Sequence, residues 1–469
     1  MRIAASTWSS LLLAVSAAVL AGCPAPHESP PSRHLVLITL DTLRADHVGA
    51  YGYPRPTTPN LDALARRGVR FDEAIAQAIT TPPSHASILT GLTPPQHGLR
   101  RLSGQSLAPG NLTLAEALRD HGFHTAAFVS AAPLRRGQGL HQGFDVYDDD
   151  LDGSPERSGA ETTARVRDWL ATAPEARTFL WVHFFEPHMP YFAPAEHRTR
   201  FHPRELRRED VARQVAAKGR GRPRQAPLPD VVARMTDLYD AEIASMDQQV
   251  GELLALLEAH GMLADAVVAA VADHGECLGE GGFYFGHWDI WRATARVPMV
   301  LTMPDGRWAN TVVSATVRSV DLMPTVLRWL GVEPPPGLEG RDLTPLIEGT
   351  EEEPRTAYTE HVEYFPARAV REGKWILAEH DWGEPSPEFP HHLGLYERAS
   401  DDRELLAANA PGPIRERLEA ALHKAASPAT TECPVAVDVS DEVRFQLEAL
   451  GYVVEPTPTP AKATPAPMH

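Results

Sequence analysis

The sequence predicts an α/β fold: a mostly parallel central sheet sandwiched by helices, with a smaller C-terminal α+β subdomain. Three observations carry this expectation. The runs His34–Leu40 and Ala266–Ala272 are apolar and lack helical periodicity, so they read as strands buried on both faces. From residue 33 to about 330, strand-like and helix-like segments alternate, and after Pro334, Pro335 and Pro336 the pattern changes to short strand-like pieces closed by one helix. With 469 residues, 43% of them hydrophobic, the chain can bury one large core and a smaller second one.

In chain order, Met1 and Arg2 precede an apolar run from Leu11 to Leu20 that ends in Leu20, Ala21, Gly22 and Cys23, too short for a comfortable membrane span. This ending resembles a bacterial lipoprotein signal. The resemblance implies a signal peptide over 1–22, lipidation of Cys23 and a membrane anchor. It places the protein in the bacterial cell envelope, facing the periplasm or exterior. Residues 23–32, with four prolines, read as a tether. Residues 33–334 form the larger α/β domain, 335–430 the C-terminal α+β subdomain, and 431–469 an extension whose Pro, Thr and Ala-rich end from Pro456 reads as a disordered tail.

Within the larger domain, Leu114–Leu118 before Gly122 predicts a helix, and Thr125–Val129 and Thr178–Val182 predict strands. Met235, Tyr239, Ile243, Met246, Val250, Leu253 and Leu257 recur every three or four residues, one long amphipathic helix with its methionines as core filler. The Arg-crowded stretch from Arg198 to Arg224 reads as a solvated surface loop, or as a lid that draws in an anion. Farther on, Glu360–Val362, Ala369–Val370, Trp375–Ala378 and Leu395–Tyr396 read as antiparallel strands and Ile414–Ala425 as a helix.

The formal net charge of -18 excludes a general grip on nucleic acid, which needs a basic face. After Cys23 only Cys277 and Cys433 remain. They read as a disulfide in an oxidising compartment, as buried thiols, or, for Cys277, as a soft metal ligand.

The candidate site starts from the stretch Ile79–Gly91. Thr81 stands before a Pro82-Pro83-Ser84 helix start and Gly91 ends the run, so Thr81 reads as an N-cap hydroxyl at a helix start suited to an oxyanion. The two buried strands end in Asp41 and in Asp273 and His274. Ligands bind outside the carboxyl ends of strands in open α/β sheets, and carboxylates with an imidazole make a divalent-metal site. His183 and His188, on either side of Glu186 and Pro187, follow another strand end and belong to the same rim.

Taken together, these residues resemble the sulfatase family of the alkaline-phosphatase superfamily. The similarity runs through Asp41, Arg44, Asp46, Tyr51, Gly52, and Thr58 to Asp62. It continues through Thr81, Pro83, Ser84, Leu89 to Gly91, His183, His188, Pro190, and Asp273 to Glu276. It ends with Arg296, Pro298, Asp321, Pro324, Thr325, Gly340, Arg341, Leu395 and Tyr396. The resemblance implies an alkaline-phosphatase-like fold and one divalent ion, drawn from Mn, Zn, Fe, Ca or Mg, on Asp41, Asp273, His274 and Thr81. It implies His188 and His287 as donors to the oxyanion or leaving group, and His85, His183 and Arg296 as substrate contacts.

Four departures matter. Members that cleave sulfate esters carry a Cys or Ser, oxidised to formylglycine, where this chain has Thr81, so no formylglycine is expected. The Arg of that motif is His85, the second acid beside Asp41 is Thr42, and the Lys-x-His pair is replaced by Ser130 and Ala132.

The expectation is a metal-dependent hydrolase of sulfate- or phosphate-type esters, with Thr81 favouring a phosphoester, phosphodiester or phosphonate. The substrate is a small anionic ester or glycan. The alternatives are a catalytically inactive surface lipoprotein that binds an anionic glycan, and a transferase of a phosphoryl-linked group.

Overall fold

An apolar strand is stable only where both faces are covered, and the computed structural model puts His34–Leu40 in such a place. It lies mid-sheet, parallel to Thr178–Phe184 on one side and to Ala266–Ala272 on the other, with Leu35 to Leu40 at most 1% exposed. Its one interior hydroxyl, Thr39, accepts a hydrogen bond from the Trp181 indole at 2.8 Å. The structure describes residues 32–202, 227–351, 353–380, 393–399, 404–407, 411–427, 434–450 and 452.

Among these residues the main sheet has nine strands. Its order is Arg296–Val297, Val69–Ile75, Met299–Thr302, Ala266–Ala272, His34–Leu40, Thr178–Phe184, His124–Phe128, Val146–Asp148, and Thr311–Arg318 also pairs with Val69–Ile75. All pairings are parallel except those of Arg296–Val297 and Met299–Thr302. Pro298, which has no N–H to give a ladder, separates these two antiparallel pieces. The sheet is thus mostly parallel and covered by helices, as the alternating pattern predicts.

The 31-residue helix Pro229–Ala259 buries Met235, Tyr239, Ile243, Met246, Val250, Leu253 and Leu257 on one face. From it, Asp247 accepts the backbone N–H groups of Asn60 and Leu61 at 2.9 and 2.8 Å, capping the helix Pro59–Arg66 from outside. The helix Leu114–Asp120 opens on a Thr113–Glu116 capping box. The smaller sheet is antiparallel, with Ala357–His361, Ala367–Glu372, Trp375–His380, Leu393–Arg398 and Glu404–Leu406 in chain order. Helix Gly412–Ala426 packs Ile414, Leu418 and Leu422 against Tyr358, Val370, Leu377 and Leu395.

Beyond it the chain returns to the larger domain. Val435–Ala436 pairs with Gln105–Ser106, and helix Asp441–Ala449 buries Leu447 among Leu102, Ala131, Leu151 and Phe185. The signal, Cys23, the tether up to Pro31, Cys433, the stretch 203–226 and the tail from Pro456 lie outside the described residues. Cys277 is a free buried thiol packed with Phe283 and Trp288.

One clamp positions the helix Thr81–Thr90. That helix ends on Gly91, whose left-handed φ of 66° suits glycine, and the Gly91 carbonyl accepts N–H groups from Glu339 and Gly340 at 3.1 and 3.0 Å. A Cβ on Gly340 would stand 2.0 Å from the Val320 carbonyl oxygen, so only glycine fits. Arg341 N–H donates to Asp321, which also pairs with Arg318 at 2.6 Å and Arg355 at 2.9 Å. Burial alone pushes the Asp321 carboxyl up, but the two guanidinium groups outweigh it and hold the group below the usual carboxylate range. Its contribution to stability is therefore complete above about pH 4 and is lost as pH falls through the lower folded value. Arg355→Ala leaves Asp321 and Glu351 buried with one partner fewer, and should cost about 3 kcal/mol in urea unfolding at pH 7, with a smaller penalty at pH 3.

Candidate active site

Parallel register builds the site. Leu40 is opposite Phe184 on one side and Ala272 on the other, so the next residues, Asp41 and Asp273, leave the sheet side by side at its carboxyl edge. His274 follows, and one ligand atom from each of Asp41, Asp273 and His274 lies within 4.8 Å of the others, all three residues being buried. Only glycine is tolerated next: a Cβ on Gly275 would meet the Ala293 carbonyl oxygen at 2.1 Å, and its N–H donates to Thr294 at 2.7 Å.

The donor set fits a divalent cation. His274 donates its Nδ1–H to the Gly275 carbonyl at 3.1 Å, which leaves the Nε2 lone pair facing Asp273 Oδ2 at 3.4 Å. Asp273 Oδ1 accepts the N–H groups of Thr42 and His274 at 3.1 and 2.7 Å, whereas its Oδ2 is buried with no hydrogen-bond partner. Burial and the adjacent Asp41 carboxylate push Asp273 well above the usual carboxylate range. A cation held between the carboxylates is the charge that relieves this repulsion. Cys277, expected in one reading to be a ligand, is not a member of the group.

Thr81 projects toward the same cluster, its Oγ1 3.5 Å from His274 Nε2. It is the first residue of the helix, not its cap: Thr80, extended at φ −134° and ψ 133°, holds the cap position. The helix start also presents fewer N–H groups than its position suggests. Pro82 and Pro83 have none, and the Ser84 N–H donates to the Thr80 carbonyl at 3.0 Å. An oxyanion here depends on the metal group and on side chains.

The four histidines divide into two pairs. His85 donates Nδ1–H to the Thr81 carbonyl at 2.8 Å and stands 3.6 Å from Asp273 Oδ2. Burial pushes it well below the usual histidine range, so it is neutral and braces Thr81 and Asp273 from inside the protein. His183 lies 3.4 Å from Asp41 Oδ2 and 3.0 Å from Ser130 Oγ, and burial pushes it down to about 3. Both are expected as substrate contacts; the structure places His85 beside Asp273 and His183 beside Asp41.

His188 and His287 point inward. Their Nδ1–H groups donate to the carbonyls of Met189 at 2.5 Å and Ile79 at 2.7 Å, which turns each Nε2 into the site. The His287 ring lies 4.4 Å from that of His274. Arg296 is held elsewhere: its Nε donates to the Asp72 carbonyl at 2.7 Å and lies 3.8 Å from Glu73, beside the Tyr51 ring.

Three neighbours of the site are not legible from the motifs. Thr42 adopts a left-handed φ of 55°, unusual for a β-branched residue, while its N–H is tied to Asp273 and its carbonyl accepts the Tyr239 hydroxyl at 2.8 Å. Tyr239 is visible in the sequence only as one apolar position of a helix stripe. The third is Tyr452, whose hydroxyl lies 2.7 Å from His188 Nε2 and 3.3 Å from His287 Nε2. The spacing of Leu447 and Leu450 before Tyr452 is the one signal that this segment docks.

Comparison with known proteins agrees with this geometry. Residues 33–332 match the family model described as Sulfatase. The ulvan-active sulfatase of Formosa agariphila is 26% identical over 446 residues, covering 85% of this chain and 81% of that protein. Among solved structures, one in complex with its substrate D-glucosamine-2-N,6-O-disulfate superposes with a TM-score of 0.67 at 19% identity, covering 86% of this chain and all of that one. The phosphonate monoester hydrolase of Silicibacter pomeroyi superposes at 0.64 with 21% identity, covering 86% and 99%. The chain belongs to the sulfatase family of the alkaline-phosphatase superfamily, a family of metal-dependent ester hydrolases.

Proposed function

We propose that this protein hydrolyses an ester of phosphorus, a phosphoester, phosphodiester or phosphonate, with Thr81 as nucleophile. One observation carries the reading: a threonine hydroxyl, not a formylglycine precursor, stands 3.5 Å from the His274 ring nitrogen at the metal group. A hydrated aldehyde can expel sulfate by collapsing to the carbonyl. Threonine has a single hydroxyl and lacks that route, so its covalent intermediate must be cleaved by water at the central atom, which is more tractable at phosphorus than at sulfur.

Asp41, Asp273 and His274 would hold a divalent ion, which when bound would supply positive charge to the ester's oxygens and lower the pKa of the Thr81 hydroxyl. Thr81 Oγ gives its proton to the neutral Nε2 of one of His188 and His287 and attacks phosphorus in line as the bond to the leaving oxygen breaks. The Nε2 atoms of both, fixed by their Nδ1–H bonds, face that oxygen, and the protonated one of the pair gives it a proton. Water then attacks the phosphorus, passing a proton to the imidazole that gave one up, and Thr81 Oγ leaves with the proton held by the other. His85 and His183 hold Thr81 and Asp41 in place without adding charge.

The fixed charge also bears on the substrate. Position 85 holds a neutral histidine, and positions 130 and 132 hold Ser130 and Ala132. A site with this few fixed cations suits a singly charged ester, a phosphodiester or phosphonate monoester, over a dianionic phosphate monoester. The uncharged residues at 85, 130 and 132 are also what favours the second reading, a protein that binds an anionic glycan without turnover.

Thr81→Ala should lower turnover by about 10³-fold or more while metal content stays near that of the wild type, because Asp41, Asp273 and His274 remain. Turnover that survives the change rejects the nucleophile. A panel of nitrophenyl sulfate, phosphate, phosphodiester and phosphonate esters on metal-reconstituted protein should show highest kcat/KM for the diester or phosphonate. A sulfate preference refutes the chemical argument, and stoichiometric metal with no hydrolysis of any ester supports the binding protein. We also propose that Cys23 is lipidated and anchors the protein in the cell envelope; Cys23→Ser should move it from the membrane to the soluble fraction.

A further inference from the structure

We propose that Tyr452, brought into the site by the C-terminal extension, is a catalytic residue whose hydroxyl, accepting a hydrogen bond from the protonated Nε2 of His188, donates its own to the departing oxygen of the ester. The inference rests on the hydrolase reading above and adds a residue that lies outside the motifs of the larger domain.

Its position is the first ground. The Nδ1–H groups of His188 and His287 are committed to backbone carbonyls, so their Nε2 atoms can reach only into the site, and both meet the Tyr452 hydroxyl, at 2.7 and 3.3 Å. Both leaving-group histidines therefore converge on one oxygen, contributed from more than 160 positions along the chain. Thr81 stands beside them, its Oγ1 3.5 Å from His274 Nε2, and the His274 ring is 4.4 Å from that of His287. A group that meets both histidines next to Thr81 also reaches the bond that breaks between them.

Its anchoring is the second ground. Ser440 caps the helix Asp441–Ala449 through the Val443 N–H at 3.2 Å, and Leu447 and Leu450 are at most 1% exposed. They share a buried cluster with Leu102, Ala131, Ala132 and Phe185. The Tyr452 N–H donates back to the Leu447 carbonyl at 2.9 Å, which turns the chain inward after the helix and fixes where the ring enters. Gln446, 1% exposed, reaches the Gly153 carbonyl at 3.3 Å. A removable plug needs few buried contacts; this segment buries its apolar residues as a core element does. The small side chains of Ala131 and Ala132 leave the room that it fills.

Tyr452→Phe keeps the ring and its packing and removes only the hydroxyl. In the metal-reconstituted full-length protein it should lower kcat about 100-fold for a phenyl or alkyl ester and about 10-fold or less for a nitrophenyl ester, with KM changed less than threefold and the melting temperature unchanged. The leaving-group dependence is the diagnostic, since a hydrogen bond to the departing oxygen matters most when that oxygen is a poor leaving group. Leu447→Asp, which undocks the segment without touching the phenol, should show the same selective loss. A wild-type enzyme matched by Tyr452→Phe on every ester overturns the role of Tyr452 alone. Equal losses on all esters with a lowered melting temperature also overturn it, in favour of a structural role. A rise in kcat/KM in either variant overturns it in favour of a blocking segment. A wild-type protein that hydrolyses no ester overturns the hydrolase reading and this role with it.

Discussion

Two carboxylates are forced together inside the protein, and the rest of the site follows from that. Asp41 and Asp273 are both fully buried, and they are adjacent because the strands that carry them pair in parallel and in register. Buried like charges are costly, and the protein does not separate them. It holds each in place: Asp273 through the N–H groups of Thr42 and His274, Asp41 beside His183. A cation bound between them would relieve this repulsion, so the sheet that frames the site also assembles its donor set.

Thr81 is fixed by a second structure, tied to the first where Ser84 Oγ donates to the Asp273 carbonyl at 2.6 Å. The helix Thr81–Thr90 is anchored at its far end by Gly91 and by the backbone of Glu339 and Gly340. Behind these stands Asp321 with its two arginines, so an ion cluster within residues 318–355 backs the anchor of the helix that carries Thr81. Several residues that resemble family motifs, among them Asp321, Gly340 and the run around Asn60, act in this way. They hold the elements of the site in place.

The strands and the acids at their ends were legible because each is written in one place. An apolar run of seven residues with an acid at its end states both its burial and its rim, and the long helix states its core face by spacing. What the sequence cannot state is a relation. The Thr80–Thr81 boundary turns on one residue's backbone angles, and two threonines in a row look alike as caps. His85 and His183 differ from His188 and His287 only in which carbonyl or carboxylate each one faces, and that is decided by packing. Thr42 was visible as a missing acid but not as a strained hinge. Tyr452 was hidden by its neighbours, since a short amphipathic segment beside a Pro-rich tail looks like part of that tail.

The two pairs of histidines show how one residue type does two jobs at a single rim. Those that lie behind the ligands are neutral by burial, and a neutral imidazole can hold a carboxylate or a carbonyl without competing with the cation for it. Those in front have one nitrogen tied to a backbone carbonyl and the other turned to the Tyr452 hydroxyl, which sets direction without setting charge. Had the inner pair been arginines, as the family pattern has it at position 85, the buried carboxylates would be neutralised by the protein itself and the metal would have less to offset. With only neutral groups behind them, Asp41 and Asp273 keep the repulsion that a divalent ion bound there would offset.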